Sequence, residues 1–83
     1  MKNTFKECVS AELRGLRSKH KYTQEFVANI ANIDVMTLNR YESGKVSMQL
    51  DTLEKIVCVY DINLFIFFNL VNANMHNNLQ NIE

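Results

Sequence analysis

Between Thr23 and Gly44 the chain carries two helix-length segments separated by only three residues, Asn32-Ile33-Asp34. Thr23 is a good N-cap, and Phe26, Val27, Ile30 and Ala31 follow at spacings that share one side of a helix. The segment runs out at Asn32, the non-glycine residue best suited to a left-handed turn. Asp34 is a second strong N-cap. Val35–Ser43 then reads as another helix, stopped by Gly44, the residue type enriched just past helix ends. Two helices joined this tightly cross at a steep angle, about 90–120° in such units. The remaining segments must then build the body of the fold.

The flanking segments supply that body. Phe5, Val9, Leu13 and Leu16 recur at helical spacing, with Thr4 and Glu7 placed to form a capping box, so the first helix is expected over about 4–20. Lys19-His20-Lys21 closes it with positive charge, favourable at a helix C-terminus. Lys45–Gln49 reads as a loop. Leu50, Leu53, Ile56, Val57 and Tyr60 give a fourth helix, broken by Asp61. Asn63 can cap a fifth through the apolar stretch Ile62–Val71. By content that stretch also suits a strand, but four helices precede it and no partner strand exists. With no proline and two glycines, the chain lacks the punctuation of strand-and-turn folds. The fold expected is all-α, a compact five-helix bundle in one domain over residues 1–71. A polar tail over 72–83, rich in asparagine (Asn72, Asn74, Asn77, Asn78, Asn81), is expected to fray.

Composition narrows the function classes. A hydrophobic share of 47% suits a packed core. The first ten residues carry no apolar block of signal-peptide length, and no run reaches membrane-spanning length, so a cytoplasmic location is expected. Cys8 and Cys58 form no disulfide framework. Cys58 borders the stripe of the fourth helix and is expected to pack; Cys8 is expected to be partly exposed. His20 and His76 lack zinc-ligand spacing with them, and no glycine-rich phosphate loop is present, so neither metal nor cofactor nor enzymatic activity is expected. Net charge is zero but unevenly spread. Residues 1–45 hold eight of the nine Lys/Arg and five of the nine Asp/Glu, a surplus of three positive charges that the remainder cancels. A basic half can face phosphate while the other half serves another purpose.

The stretch TQEFVANIANIDVMTLNRYESG, residues 23–44, resembles the Cro/phage-repressor (XRE-type) helix-turn-helix family. Thr23, Gln24, Ala28, Glu42 and Gly44 match its pattern by identity; Val27, Ile33, Asp34, Leu38 and Tyr41 match by class. The match runs without a gap over 22 residues, and the likeness extends over about 9–68. Asn32 stands where the family usually has glycine, a departure the backbone tolerates. The physics fits the pattern. Ala28 permits the close crossing, and Ile33, Leu38 and Tyr41 plug the third helix into the core. The opposite face is left for the major groove, which admits one helix.

By the resemblance, Val35, Met36 and Arg40 occupy base-reading positions, with Asn39 beside them. Arg40 can bond guanine bidentately and Asn39 can pair with adenine, whereas Val35 and Met36 can meet thymine methyls. Gln24, at a helix N-terminus, and Ser43 and Lys45, after the third helix, are the expected phosphate contacts. Arg14, Lys19 and Lys21 read as solvated surface charge. Arg17 and Glu42 are implied to be a structural pair fixing the third helix to the first.

Leu64, Phe65, Ile66 and Phe68 stand where the family is polar. One helix on a four-helix core cannot bury apolar residues all round, so a second copy of the chain is the expected cover, ahead of a folded-back tail. The resemblance thus implies a homodimeric, sequence-specific double-stranded-DNA-binding transcription regulator on a palindromic operator. Restriction-modification controllers and phage Cro or repressor proteins are the stand-alone kinds left open. A toxin-binding antitoxin and a pure protein-interaction bundle are the competing classes. Double-stranded DNA and a second copy are the expected partners, with RNA polymerase or a toxin as further candidates.

Overall fold

A computed structural model of the chain describes residues 4–81, with side chains described through Met75. It contains α1 (Phe5–His20), α2 (Gln24–Ala31), α3 (Val35–Ser43), α4 (Leu50–Cys58) and α5 (Leu64–Asn81), and no strand among the described residues. The boundaries follow local chemistry. At the start of α1 the Thr4 hydroxyl accepts from the Glu7 N–H at 3.1 Å and the Glu7 carboxylate accepts from the Thr4 N–H at 2.9 Å. Thr23 caps α2 through the Phe26 N–H, and Asp34 caps α3 through the Met36 N–H. Asn63 accepts from the Ile66 N–H at the head of α5 at 2.8 Å. Left-handed residues close the first three helices: Lys21 at φ 60°, Asn32 at φ 58° and Gly44 at φ 72°. Asp61, also left-handed, turns the chain between α4 and α5.

The core is one cluster fed by every helix. Val9, Leu13 and Leu16 of α1 meet Val27 and Ala28 of α2, Leu38 and Tyr41 of α3, Leu53, Ile56 and Val57 of α4, and Phe67 and Val71 of α5. Helix α1 is the central strut, packing on α3 on one side and α5 on the other; α2 spans α3 and α4. Burying side chains of this size stabilises by about 1.5–3 kcal/mol each before the entropy of ordering is subtracted.

Several expectations are corrected. Helix α5 runs on past Asn72 to Asn81, and residues 82–83 of the expected tail lie outside the described residues. Val71 and Met75 prolong the stripe begun at Leu64 and Phe67, so the helix keeps a partner surface past the first asparagines. The two cysteines exchange roles: Cys8 is buried and Cys58 exposed. Cys8 lies next to Val9 on the side of α1 turned to the core, whereas Cys58 follows Val57 and points outward. Phe26 and Ile30, read as the inner side of α2, are exposed, and so is Leu50. Val27, Ala28 and Ala31 face inward instead, and the face carrying Phe26 and Ile30 falls beside the packed one.

Candidate nucleic-acid interface

Helix α3 divides into two opposed faces. Leu38, Tyr41 and Glu42 point inward and are buried. Val35, Met36, Asn39 and Arg40, at spacings i, i+1, i+4 and i+5, point outward, and all four are exposed. Met36 is 55% exposed despite being apolar. Single exposed apolar residues are ordinary on surfaces. Here two of them adjoin Asn39 and Arg40, and the face so formed offers both methyl contacts and bidentate donors.

Both ends of α3 are tied down. At its N-terminus the Ile33 N–H donates to the Ala28 carbonyl at 3.0 Å, closing the left-handed turn at Asn32. At its C-terminus the N–H groups of Gly44 and Lys45 return to the Arg40 carbonyl, which also accepts from the Ser43 hydroxyl at 3.0 Å. The Tyr41 hydroxyl reaches across the following loop and accepts from the Gln49 N–H at 2.9 Å.

Glu42 is the hub beneath the exposed face. It is 3% exposed, yet its carboxylate is fully engaged. Arg17 Nε donates to its two oxygens at 2.8 and 3.1 Å, and Gln24 Nε2 donates to Oε1 at 3.0 Å. Arg17 also holds the Tyr22 carbonyl at 3.1 Å. Three helices thus meet on one carboxylate. The hydrogen bond to Glu42, set against partial burial, raises the Arg17 guanidinium above its already high ordinary pKa. Such a network holds helix positions rather than binding a ligand. Beside it Tyr60 is buried among the rings of His20 and Tyr22, and its hydroxyl finds no hydrogen-bond partner among the described residues. Burial, with a contribution from Glu42 that Arg17 opposes, pushes the Tyr60 phenol up to about 12.

The sequence-assigned phosphate residues separate. Ser43 and Lys45 are exposed at the end of α3. Gln24 is different, because its amide nitrogen is committed to Glu42. What remains at that helix start is the dipole and the first-turn backbone N–H groups, since Thr23 already takes the Phe26 N–H. The apolar residues of α5 separate as well. Phe65 is 78% exposed and Ile66 is exposed beside it. Leu64 and Phe68 are half-buried, Phe68 lying against the rings of Phe5 and Phe67. Phe5 and Leu70 add to the exposed apolar surface of the molecule.

Two contributors were not singled out from the sequence. Ser10 is buried and donates to the Tyr41 carbonyl at 2.7 Å, and Arg14, read as surface charge, donates to the Glu42 carbonyl. Their signal was present: Ser10, Arg14 and Arg17 recur at i, i+4 and i+7, a polar stripe along a helix whose other side is apolar.

A sequence model described as helix-turn-helix matches residues 13–67. Among solved structures, a point mutant of the restriction-modification controller protein C.Esp1396I superposes with a TM-score of 0.83 at 20% identity, covering 90% of this chain and 97% of that one. The clp gene regulator ClgR from Corynebacterium glutamicum superposes with a TM-score of 0.84 at 15% identity, covering 98% of this chain and 86% of that one. No curated protein matches the sequence.

Proposed function

The chain belongs to the helix-turn-helix family whose sequence pattern it matches over 13–67, and from that premise we propose that it regulates transcription by binding specific double-stranded DNA as a homodimer. The single observation that carries this reading is the outward face of α3. Val35, Met36, Asn39 and Arg40 are exposed together on a helix whose two ends are both fixed by hydrogen bonds. A rigid helix with a free face fits the major groove, where Arg40 pairs with guanine and Asn39 with adenine while Val35 and Met36 meet thymine methyls. Ser43 and Lys45, and the N-terminal backbone of α2, engage phosphates on either side and set the register.

The dimer rests on Phe65 and Ile66, which the described chain leaves exposed. Leu64 and Phe68, half-buried against the core, border them on the same helix. A two-fold pair presents two copies of α3 to half-sites about 34–36 Å apart, which calls for a palindromic operator. Likeness to a restriction-modification controller over nearly its whole length supports a regulator of that kind. An antitoxin-type protein is the second reading, favoured by the further exposed apolar residues Phe26, Ile30 and Leu50, which a different protein could cover.

Selection of bound sequences from random duplexes at about 0.1 M salt tests the proposal. The expected product is an inverted repeat with half-site centres one helical turn apart. Recovery of unenriched random sequence would exclude a sequence-specific regulator.

A further inference from the structure

Helix α3 ends as every helix does, with its last carbonyls lacking partners inside the helix. The Arg40 carbonyl is served by the turn at Gly44 and Lys45. The next two are served from a different helix altogether. Ser10 Oγ donates to the Tyr41 carbonyl at 2.7 Å, and Arg14 Nη1 donates to the Glu42 carbonyl. One turn further along α1, Arg17 holds the Glu42 carboxylate. A single polar stripe of α1 therefore receives the whole C-terminal turn of α3.

The contact is close as well as polar. Ser10 is 1% exposed. A Cβ placed on Gly44 would lie 3.0 Å from Ser10 Oγ, so a larger residue there would press on the Ser10 side chain. The Arg17–Glu42 pair holds α3 through a side chain. The Ser10 and Arg14 bonds fix the backbone of α3 itself. They define how far its C-terminal end, where Arg40 and the Ser43–Lys45 contacts sit, is lifted from the core.

We infer that Ser10 and Arg14 are positioning residues for DNA discrimination, setting the tilt of α3 by capping its Tyr41 and Glu42 carbonyls. The inference rests on the DNA-binding reading above and deepens it. Neither residue need touch DNA. Their loss lets the end of α3 rock, which degrades base contacts that require a fixed angle while leaving the non-specific attraction to phosphate in place.

The test compares affinity for a selected duplex and for random duplex in Ser10→Ala, Arg14→Ala and Val57→Ala. The last removes core volume in α4, away from α3, and controls for a general loss of stability. Melting curves establish the folded fraction of each, and Arg14, being exposed, keeps the test open if Ser10→Ala does not fold. The expected result is a fall of about tenfold in the ratio of specific to random binding for Ser10→Ala and for Arg14→Ala, the scale of one impaired bidentate contact. Val57→Ala is expected to keep the wild-type ratio. If Arg14→Ala weakens both duplexes equally and reduces the salt dependence by about one phosphate contact, it is a charge contact and the inference fails for it. Unchanged ratios in the folded variants overturn the inference alone. A wild-type chain with no preference among duplexes removes the DNA reading, and this inference with it.

Discussion

Arg40 is the one residue on the outward face of α3 that can donate two parallel hydrogen bonds to a guanine edge. Arg40→Ala is expected to lower affinity for the selected duplex by about 1–3 kcal/mol while leaving random-duplex affinity nearly unchanged, as measured by fluorescence anisotropy. Equal losses would make it a phosphate contact. Tyr60 poses a different question. Its hydroxyl is buried without a partner among the described residues, and its phenol is raised from 10.0 to about 12. A folded-state pKa above the unfolded value adds stability below about pH 10 that is lost as pH rises through about 12. Tyr60→Phe is expected to melt at the wild-type temperature or above it at pH 7, because an unsatisfied hydroxyl is removed, and to lose less stability than wild type in that alkaline window. A large loss at pH 7 would mean that the hydroxyl has a partner. At this scale the caps were legible because they are local chemistry. Thr4, Thr23, Asp34, Asn63 and the left-handed Asn32 and Gly44 need only their immediate neighbours. The exposure of Cys8 and Cys58 was not, since neighbouring positions on a helix differ in burial according to which element packs there.

The first three helices are joined through Glu42. Arg17 from α1 and Gln24 from α2 converge on a carboxylate that α3 buries. Glu42→Ala strands a partly buried guanidinium and an amide at once. The expected cost is about 2–4 kcal/mol in urea unfolding, discounted from a fully buried pair because Arg17 retains some solvent. A cost below about 0.5 kcal/mol would show that the network is solvated. The Arg17–Glu42 pairing was available from the sequence only through the family resemblance, for the two residues lie 25 positions apart. The hydrogen bond from Gln24 to Glu42 was not available, because the start of a helix suits a phosphate contact and a protein contact equally. In helix α5 the periodicity runs past the first asparagines, because Val71 and Met75 keep the register that packs the helix on the core.

At the scale of the molecule, the bundle divides its labour. Helices α1 and α4 fill the core, α3 offers one face outward, and α5 carries apolar side chains that one chain leaves uncovered. The two phenylalanines assigned to the dimer separate by burial, which no sequence pattern resolves because they are three positions apart in one apolar run. Phe65→Glu is expected to yield a folded monomer by sedimentation and to cut operator affinity sharply, since half-site binding is no longer paired. Phe68→Glu is expected to unfold the chain instead, because its ring lies against Phe5 and Phe67. A Phe65→Glu protein that stays dimeric would move the interface elsewhere. The central claim, that the outward face of α3 enters a DNA groove, is tested most directly by methyl-labelled methionine NMR during titration with the selected duplex. Met36 stands in that face, and Met75 lies half-buried on α5. The Met36 methyl signal is expected to shift in step with duplex binding while that of Met75 stays in place. A Met36 signal that does not move at saturating duplex would contradict the account.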